Sequence, residues 1–419
     1  MATSPTAHDR LGPTFHGNVV AGDVVGGDVV AGNVVAPLHP GGTPTRGSAT
    51  LPAAGATVGV EEEFHLVDPG TFALASRPEL AAAAARGEAG GRVHAEIATT
   101  QLETVTRVCT TLADVREELR AARAEAAVAA ARAGAVLLAA STHPFSTWRE
   151  QRITAAPRYE AMVERWAGLV LQQDICGCHV HVGVPDLDTA VAVMDRARPY
   201  LPVLLAMTGS SPFHDGVDTG YASYRTVWWS RWPMTGIPEH FGSADRYREV
   251  VDGMVAAGVI ADASNLYWDV RPSSHLPTLE FRLADVCTDL DAAVLHAALC
   301  RSLVRVLAER ARRDLPCPQP RPELLRAARW RAARSGLDGQ LFDPLLGALV
   351  DARVAVRRLL AELEPDLRAH DEYAEVVDLV RLLMVRGTSA ARQRRTWQRT
   401  GDARAVAEQL VRQAACGGC

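Results

Sequence analysis

Val58, Val60, Glu62, Phe64 and Leu66 share one parity of a short stretch, and Glu61, Glu63 and His65 share the other. A strand sends alternate side chains to opposite faces, so this stretch must lay one largely apolar face on a core and one acidic face elsewhere. The pattern recurs. Thr99, Gln101 and Glu103 lie together, and His179 and His181 share a face with Gly177 and Gly183 while Val180, Val182 and Val184 line the reverse. Thr278, Glu280 and Arg282 likewise oppose Leu279, Phe281 and Leu283. One such strand is an ordinary solvated face. Four of them predict an α+β chain whose strands, dispersed along the sequence, pool their polar faces in one cavity.

Glu61 and Glu63 repel one another unless something positive sits between them. Several glutamates with one or two histidines suit a hard divalent cation, Mg²⁺ or Mn²⁺, which prefers oxygen ligands. The spacing of His179 and His181 also suits zinc, so a zinc-dependent hydrolase using both histidines and a glutamate is the competing enzyme class. At least four candidate carboxylates argue against it. A third class is a non-enzymatic assembly or sensor protein.

Composition removes other chemistries. The 44 basic side chains are all arginine, for the sequence contains no lysine. A Walker A loop, a pyridoxal phosphate aldimine and Schiff-base catalysis are therefore excluded. Phosphate groups must be held by arginine, main-chain N–H groups or a metal. A formal charge of −5 argues against a nucleic-acid partner. With no signal peptide and no apolar run near membrane-spanning length, a cytoplasmic protein with reduced thiols is expected, away from membranes.

Residues 1–55 read as a flexible leader containing four pentads, GNVVA, GDVVG, GDVVA and GNVVA, between Gly17 and Ala36. Its Val-rich, weakly charged repeats make it a candidate for self-association. Residues 56–412 read as the catalytic domain and 413–419 as a disordered tail. Within the domain, strands are expected at Thr57–Val67, Ile97–Thr106, Asp174–Val184 and Leu276–Val286, with an Ala-rich helix near Glu79–Arg86. Thr111 and Asp114 form a capping-box signal for a helix reaching about Ala140, and the chain beyond Leu290 reads as mostly helical.

Five segments carry a family resemblance: VGVEEEFHLVD at Val58–Asp68, STHPF at Ser141–Phe145, CGCHVHVG at Cys176–Gly183, TGYASYR at Thr219–Arg225 and WDVRP at Trp268–Pro272. In this order they resemble the carboxylate–amine ligases, the second glutamate–cysteine ligase family with its YbdK-like members. The resemblance runs over about residues 57–410. It implies a glutamine-synthetase-like fold, in which a curved, mostly antiparallel sheet forms an open funnel with helices packed outside. It further implies ATP with Mg²⁺ (or Mn²⁺), small-molecule carboxylate and amine substrates, and amide formation through an acyl phosphate. A γ-glutamyl donor and cysteine or another amine as acceptor are the substrates it suggests.

By matching position, the resemblance implies metal ligands at Glu61, Glu63, Glu103, His179 and Glu280, with Glu96 a weaker candidate. It places Arg271 and Arg282 at the phosphoryl and carboxylate clamp, and Arg225, His143 and Tyr221 at the substrate. His181, Arg392 and Arg394 fall to the nucleotide. A homo-oligomer is compatible with the family. Trp228, Trp229 and Trp232 are expected mainly in the core, with a role in shaping the amine pocket as the alternative.

Overall fold

The computed structural model describes residues 53–415, so the pentad leader and the terminal Cys416–Cys419 lie outside the described residues. The first acidic stretch forms strand β1 (Val58–Val67), followed by the Ala-rich helix α1 (Pro78–Ala85) with proline in its first turn. Strands β2 (Val93–Ala95) and β3 (Gln101–Val105), helix α2 (Leu112–Arg132) and strand β4 (Val136–Leu138) come next. Then come β5 (Gly177–Gly183), β6 (Val270–Pro272) and β7 (Thr278–Asp285).

These seven strands make one open sheet in the order β6-β7-β5-β1-β3-β2, with β4 also pairing β1. Every ladder in it is antiparallel. The β1 edge that faces β5 is shared. Residues 58–62 pair with β5, and residues 65–67 pair with β4, so the sheet forks at Glu63.

One face of the sheet is the expected core. Val58, Val60, Val180, Val182, Leu279 and Phe281 join one buried cluster with residues of helix α3 (Leu290–Arg312). Glu62, on this apolar parity, is fully buried. Its partner is Arg123 of α2, whose Nε and Nη2 donate to the two carboxylate oxygens at 2.8 and 2.6 Å. The same guanidinium donates to the carbonyls of Cys287 and Thr288, tying β1, α2 and the approach to α3 into one knot.

The capping box at Thr111 and Asp114 forms as expected. The helix it opens ends at Arg132 rather than about Ala140, because Gly134 adopts φ +69° and Val136–Leu138 leaves to pair with β1. The expected strand from Ile97 shortens to Gln101–Val105, since Thr99 and Thr154 bond across to the 152–154 and 96–97 segments instead. The chain after Leu290 is mostly helical, broken by a hairpin at 340–351 that the pattern did not announce. The last helix continues to Ala415, beyond the expected boundary at 412.

Candidate active site

The sheet register builds the site. Glu61 lies opposite His179, Glu63 opposite Glu103, and Glu280 opposite both His181 and Arg271. Parity then sends these side chains to the face away from the core. Glu61 is the hub: one carboxylate oxygen lies 3.2 Å from His179 Nδ1 and the other 3.2 Å from His181 Nε2. His179 Nε2 lies 3.7 Å from Glu63, and His181 Nε2 lies 3.9 Å from Glu280.

Two groups have ligand atoms all within 4.8 Å of one another: Glu61, His179 and Glu280, and Glu63, Glu103 and His179. Each offers two carboxylates and one imidazole, a donor set that fits a hard divalent cation. The Nε2 atom of His179 is buried without a hydrogen-bond partner, as befits an atom reserved for a ligand, whereas that of His181 already faces Glu61. Glu96 belongs to neither group.

The electrostatics separate the carboxyls. Burial opposes ionisation of Glu61, but the charge of His181 and hydrogen bonds from both histidines outweigh it and hold this pKa low. Glu280 is also buried, and the guanidinium groups of Arg271 and Arg282 with the two histidines keep it well below the usual carboxylate range. Glu103 is pushed well above that range by burial and by the negative fields of Glu61, Glu96 and Glu63. Burial, then Glu63, raises Glu96 to about 7. Crowded carboxyls on one side and arginine-paired ones on the other make a site short of positive charge at Glu103.

Arg271 donates from Nε to Glu280 at 2.8 Å and from Nη1 to the carbonyls of Ser264 and Leu266. Arg282 pairs with the other Glu280 oxygen. A register shift between Phe281 and Ala284 interrupts β7 just after this residue, and the carbonyls of Arg282 and Leu283 accept from Arg225 at 3.2 and 3.3 Å. Arg225 is buried. The carboxylate of Asp285 is engaged by Ser210, Ser211 and Ser223, so it does not pair with the guanidinium. Burial lowers the Arg225 pKa. A buried cation bonded only to carbonyls is a natural anion receptor.

Gly177 makes this approach possible. A Cβ there would stand 2.5 Å from Arg225 Nη2 and 3.0 Å from His179 Nε2, while the Gly177 N–H donates to Glu63 at 2.6 Å across the fork of the sheet. Gly177→Ala is therefore expected to displace one of the two side chains and lower turnover by about 10²-fold, the usual penalty of a 1 Å misplacement. Steady-state kinetics would show the loss, with an unchanged far-ultraviolet circular dichroism spectrum.

The remaining predicted residues, His143, Tyr221, Arg392 and Arg394, belong to neither ligand group. His143 is buried, with Nε2 2.8 Å from the Phe72 carbonyl and Nδ1 accepting from the amides of Phe145 and Ser146. Both ring nitrogens are thus occupied by main chain, which leaves none for a substrate. Tyr221 accepts from Trp330 Nε1 at 3.1 Å and packs beneath Arg334. Arg392 is held by Asp289 at 2.5 Å and by the Gly387 carbonyl, and Arg394 by Asp218 and the Tyr221 carbonyl. Trp229 and Trp232 belong to the core, and Trp228 is half-buried under Arg231. Two neighbours went unnoticed in the sequence. Arg158 and Tyr159 stand close enough to Glu96 and Glu103 for mutual electrostatic effects, and only the proline at 157, a helix-start signal, marks their segment.

Residues 57–409 match the family model described as glutamate–cysteine ligase family 2. A Frankia alni protein named "Putative glutamate--cysteine ligase 2-2" is 43% identical over 371 residues, covering 85% of this chain and 96% of its own. A Saccharopolyspora erythraea relative, of the same printed name but numbered 2-1, is 42% identical over 359 residues, with 85% and 94% covered. Among solved structures, the glutamate–cysteine ligase of Francisella tularensis in complex with AMP superposes with a TM-score of 0.63 at 12% identity, covering 86% of this chain and 89% of that one. The bifunctional glutathione synthetase of Pasteurella multocida gives 0.65 at 16%, covering 86% and 52%. These two likenesses concern the fold, an open antiparallel sheet with helices around it. The sequence relatives and the family match go further: this chain belongs to glutamate–cysteine ligase family 2 and is a ligase that forms carbon–nitrogen bonds.

Proposed function

We propose that the chain condenses the γ-carboxyl of L-glutamate with an amine, cysteine first among them, using ATP to activate the carboxyl as an acyl phosphate. The observation that carries this reading is the pair of carboxylate-rich groups sharing His179, flanked by Arg271, Arg282 and Arg225. Mg²⁺ held by Glu61, Glu63, Glu103, His179 and Glu280 would neutralise phosphate charge as the γ-phosphoryl group moves.

The chain's own residues do the rest. Arg271 and Arg282, fixed through Glu280, present guanidinium groups to the transferring phosphoryl and the acceptor carboxylate. Arg225 takes the α-carboxylate of the donor. A carboxylate oxygen attacks the γ-phosphorus and ADP leaves. The amine nitrogen then attacks the acyl carbon, phosphate leaves, and the nitrogen gives up a proton. The AMP carried by the Francisella tularensis ligase supports a nucleotide site in this fold.

The test is Mg²⁺-dependent ADP release with L-glutamate and a panel of amines, read with mass spectrometry of the products. ADP together with an amide heavier than the amine by a glutamyl residue is the expected outcome. A broad panel of carboxylates and amines releasing no ADP would refute it.

The raised pKa of Glu103 adds a pH dependence. A carboxyl whose pKa is raised holds its proton below that pKa, and a cation must displace it, so Mg²⁺ affinity weakens as pH falls. Glu96, at about 7, adds its own negative charge as it ionises through that pH. Mg²⁺ binding is expected to tighten between about pH 6 and 8 and to release about one proton per site. Titration calorimetry in buffers of different ionisation enthalpy measures both. Affinity flat across that range would contradict the charge assignment.

A further inference from the structure

Asp285 and Arg225 are both buried, and each is the first charge that works against the cost of burying the other. Burial lowers the pKa of the guanidinium and raises that of the carboxyl, and the partner's opposite charge resists both shifts. In β7, Asp285 stands opposite Gly177, the residue whose missing side chain makes room for Arg225 Nη2. A carboxylate and a guanidinium so placed ordinarily close a bidentate pair. Here they do not. Among the described residues, the guanidinium bonds only the carbonyls of Arg282 and Leu283, and its Nε has no partner.

Three donors occupy the carboxylate instead. Its Oδ2 accepts from the Ser210 amide at 2.8 Å and the Ser211 hydroxyl at 2.7 Å, and its Oδ1 from the Ser223 hydroxyl at 2.7 Å. A serine hydroxyl has one hydrogen to give, and here the lone pairs behind it are claimed by the turn that carries Arg225. Ser211 Oγ accepts from the Arg225 amide at 3.0 Å, and Ser223 Oγ caps the helix Tyr224–Trp229 by accepting from the Thr226 amide at 3.3 Å. The same two side chains thus fix the backbone of Arg225 and hold Asp285 off its guanidinium.

We infer that Asp285, Ser211 and Ser223 are positioning residues: Asp285 balances the buried charge of Arg225 from a distance, and the two serines prevent the salt bridge that would withdraw the guanidinium from an incoming carboxylate. A direct pair would satisfy Arg225 internally, and a substrate would have to break it. Without any counter-charge, the guanidinium would be costly to bury. The arrangement between these limits leaves Arg225 charged and receptive. It rests on the proposed role of Arg225 at the α-carboxylate of the donor.

The test is steady-state kinetics of Mg²⁺-dependent ADP release, with KM for L-glutamate and for ATP taken separately. Ser211→Ala combined with Ser223→Ala frees the carboxylate to take Arg225. KM for L-glutamate is then expected to rise about tenfold or more, the effect of losing one hydrogen bond to a charged group, while KM for ATP holds. Adding Asp285→Asn to this pair removes the charge that captures Arg225 and is expected to bring KM for L-glutamate most of the way back. Lost structure would do the reverse, since a third substitution would loosen the same network further. Should the combined variants not fold, Ser223→Ala against Ser223→Thr carries the test, because only the variant without the hydroxyl is expected to raise KM for L-glutamate. An unchanged KM for L-glutamate in the serine variants, equal rises for both substrates, or no recovery on adding Asp285→Asn overturns the inference. Arg225→Gln separates it from the reading it rests on. A raised KM for L-glutamate there, with none in the serine variants, sinks the positioning role alone, whereas an unchanged KM sinks the role of Arg225 and this inference with it.

Discussion

Glu61→Gln is expected to reduce Mg²⁺-dependent ADP formation by about 10³-fold or more, which corresponds to several kcal/mol of lost charge stabilisation. The substitution keeps shape and removes charge. Among the described residues, Glu61 alone sets one carboxylate oxygen 3.2 Å from each of the two histidines. Glutamine retains one carbonyl oxygen and places an amide NH2 where the other stood, so one histidine nitrogen meets a donor instead of an acceptor. Neither candidate metal group survives intact, because one loses Glu61 and both depend on the orientation of His179. The backbone ladder of β1 is untouched, so the circular dichroism spectrum and melting temperature should hold. Glu79→Gln, on the exposed start of α1, serves as the control. A loss smaller than tenfold would remove Glu61 from the centre of the site.

Arg123→Met should destabilise the fold by about 3–5 kcal/mol, because it leaves the Glu62 carboxylate buried without its partner. Glu62 and Arg123 are both almost wholly buried and bonded through two parallel contacts. The carbonyls of Cys287 and Thr288 lose donors in the same step. The double variant Glu62→Leu, Arg123→Met removes both charges and should recover most of the loss, since apolar replacement of a buried pair is often close to neutral. Urea unfolding of the two single variants and the double variant separates the coupling from simple loss of volume. Equal destabilisation in the single and double variants would mean that the pair contributes packing and little else.

The polar face was legible because a period of two is a strong local signal. Glu61, Glu63, His179, His181 and Glu280 could be set on one side of their strands without knowing which strands were neighbours. The structure supplies the neighbours, and with them the distances. What the pattern could not supply was long-range. Arg123 lies 61 residues from Glu62, in a helix whose sequence gives no sign that one arginine points inward. The end of α2 was placed too late because the Ala-rich run continues past Gly134, and only pairing of Val136–Leu138 with β1 decides the matter. The resemblance, for its part, gave His143 to the substrate. Whether an imidazole is spent on the main chain depends on where Phe72 and Ser146 fold back to meet it.

Three consecutive glutamates also bear on how the chain finds its register while folding. Slipping β1 by one residue would carry Glu62 to the polar side and drive Glu61, Glu63 and His65 into the apolar layer, where no second arginine waits among the partners that Glu62 has now. Slipping by two would preserve both faces in kind, but it would take Glu62 away from Arg123 and bring Val60 or Phe64 to the guanidinium. A buried pair of this sort acts as a key cut for a single alignment. Misaligned intermediates are penalised on the core side long before any metal or nucleotide could report the error, so the spacing of the metal-facing carboxylates is proofread from behind the sheet.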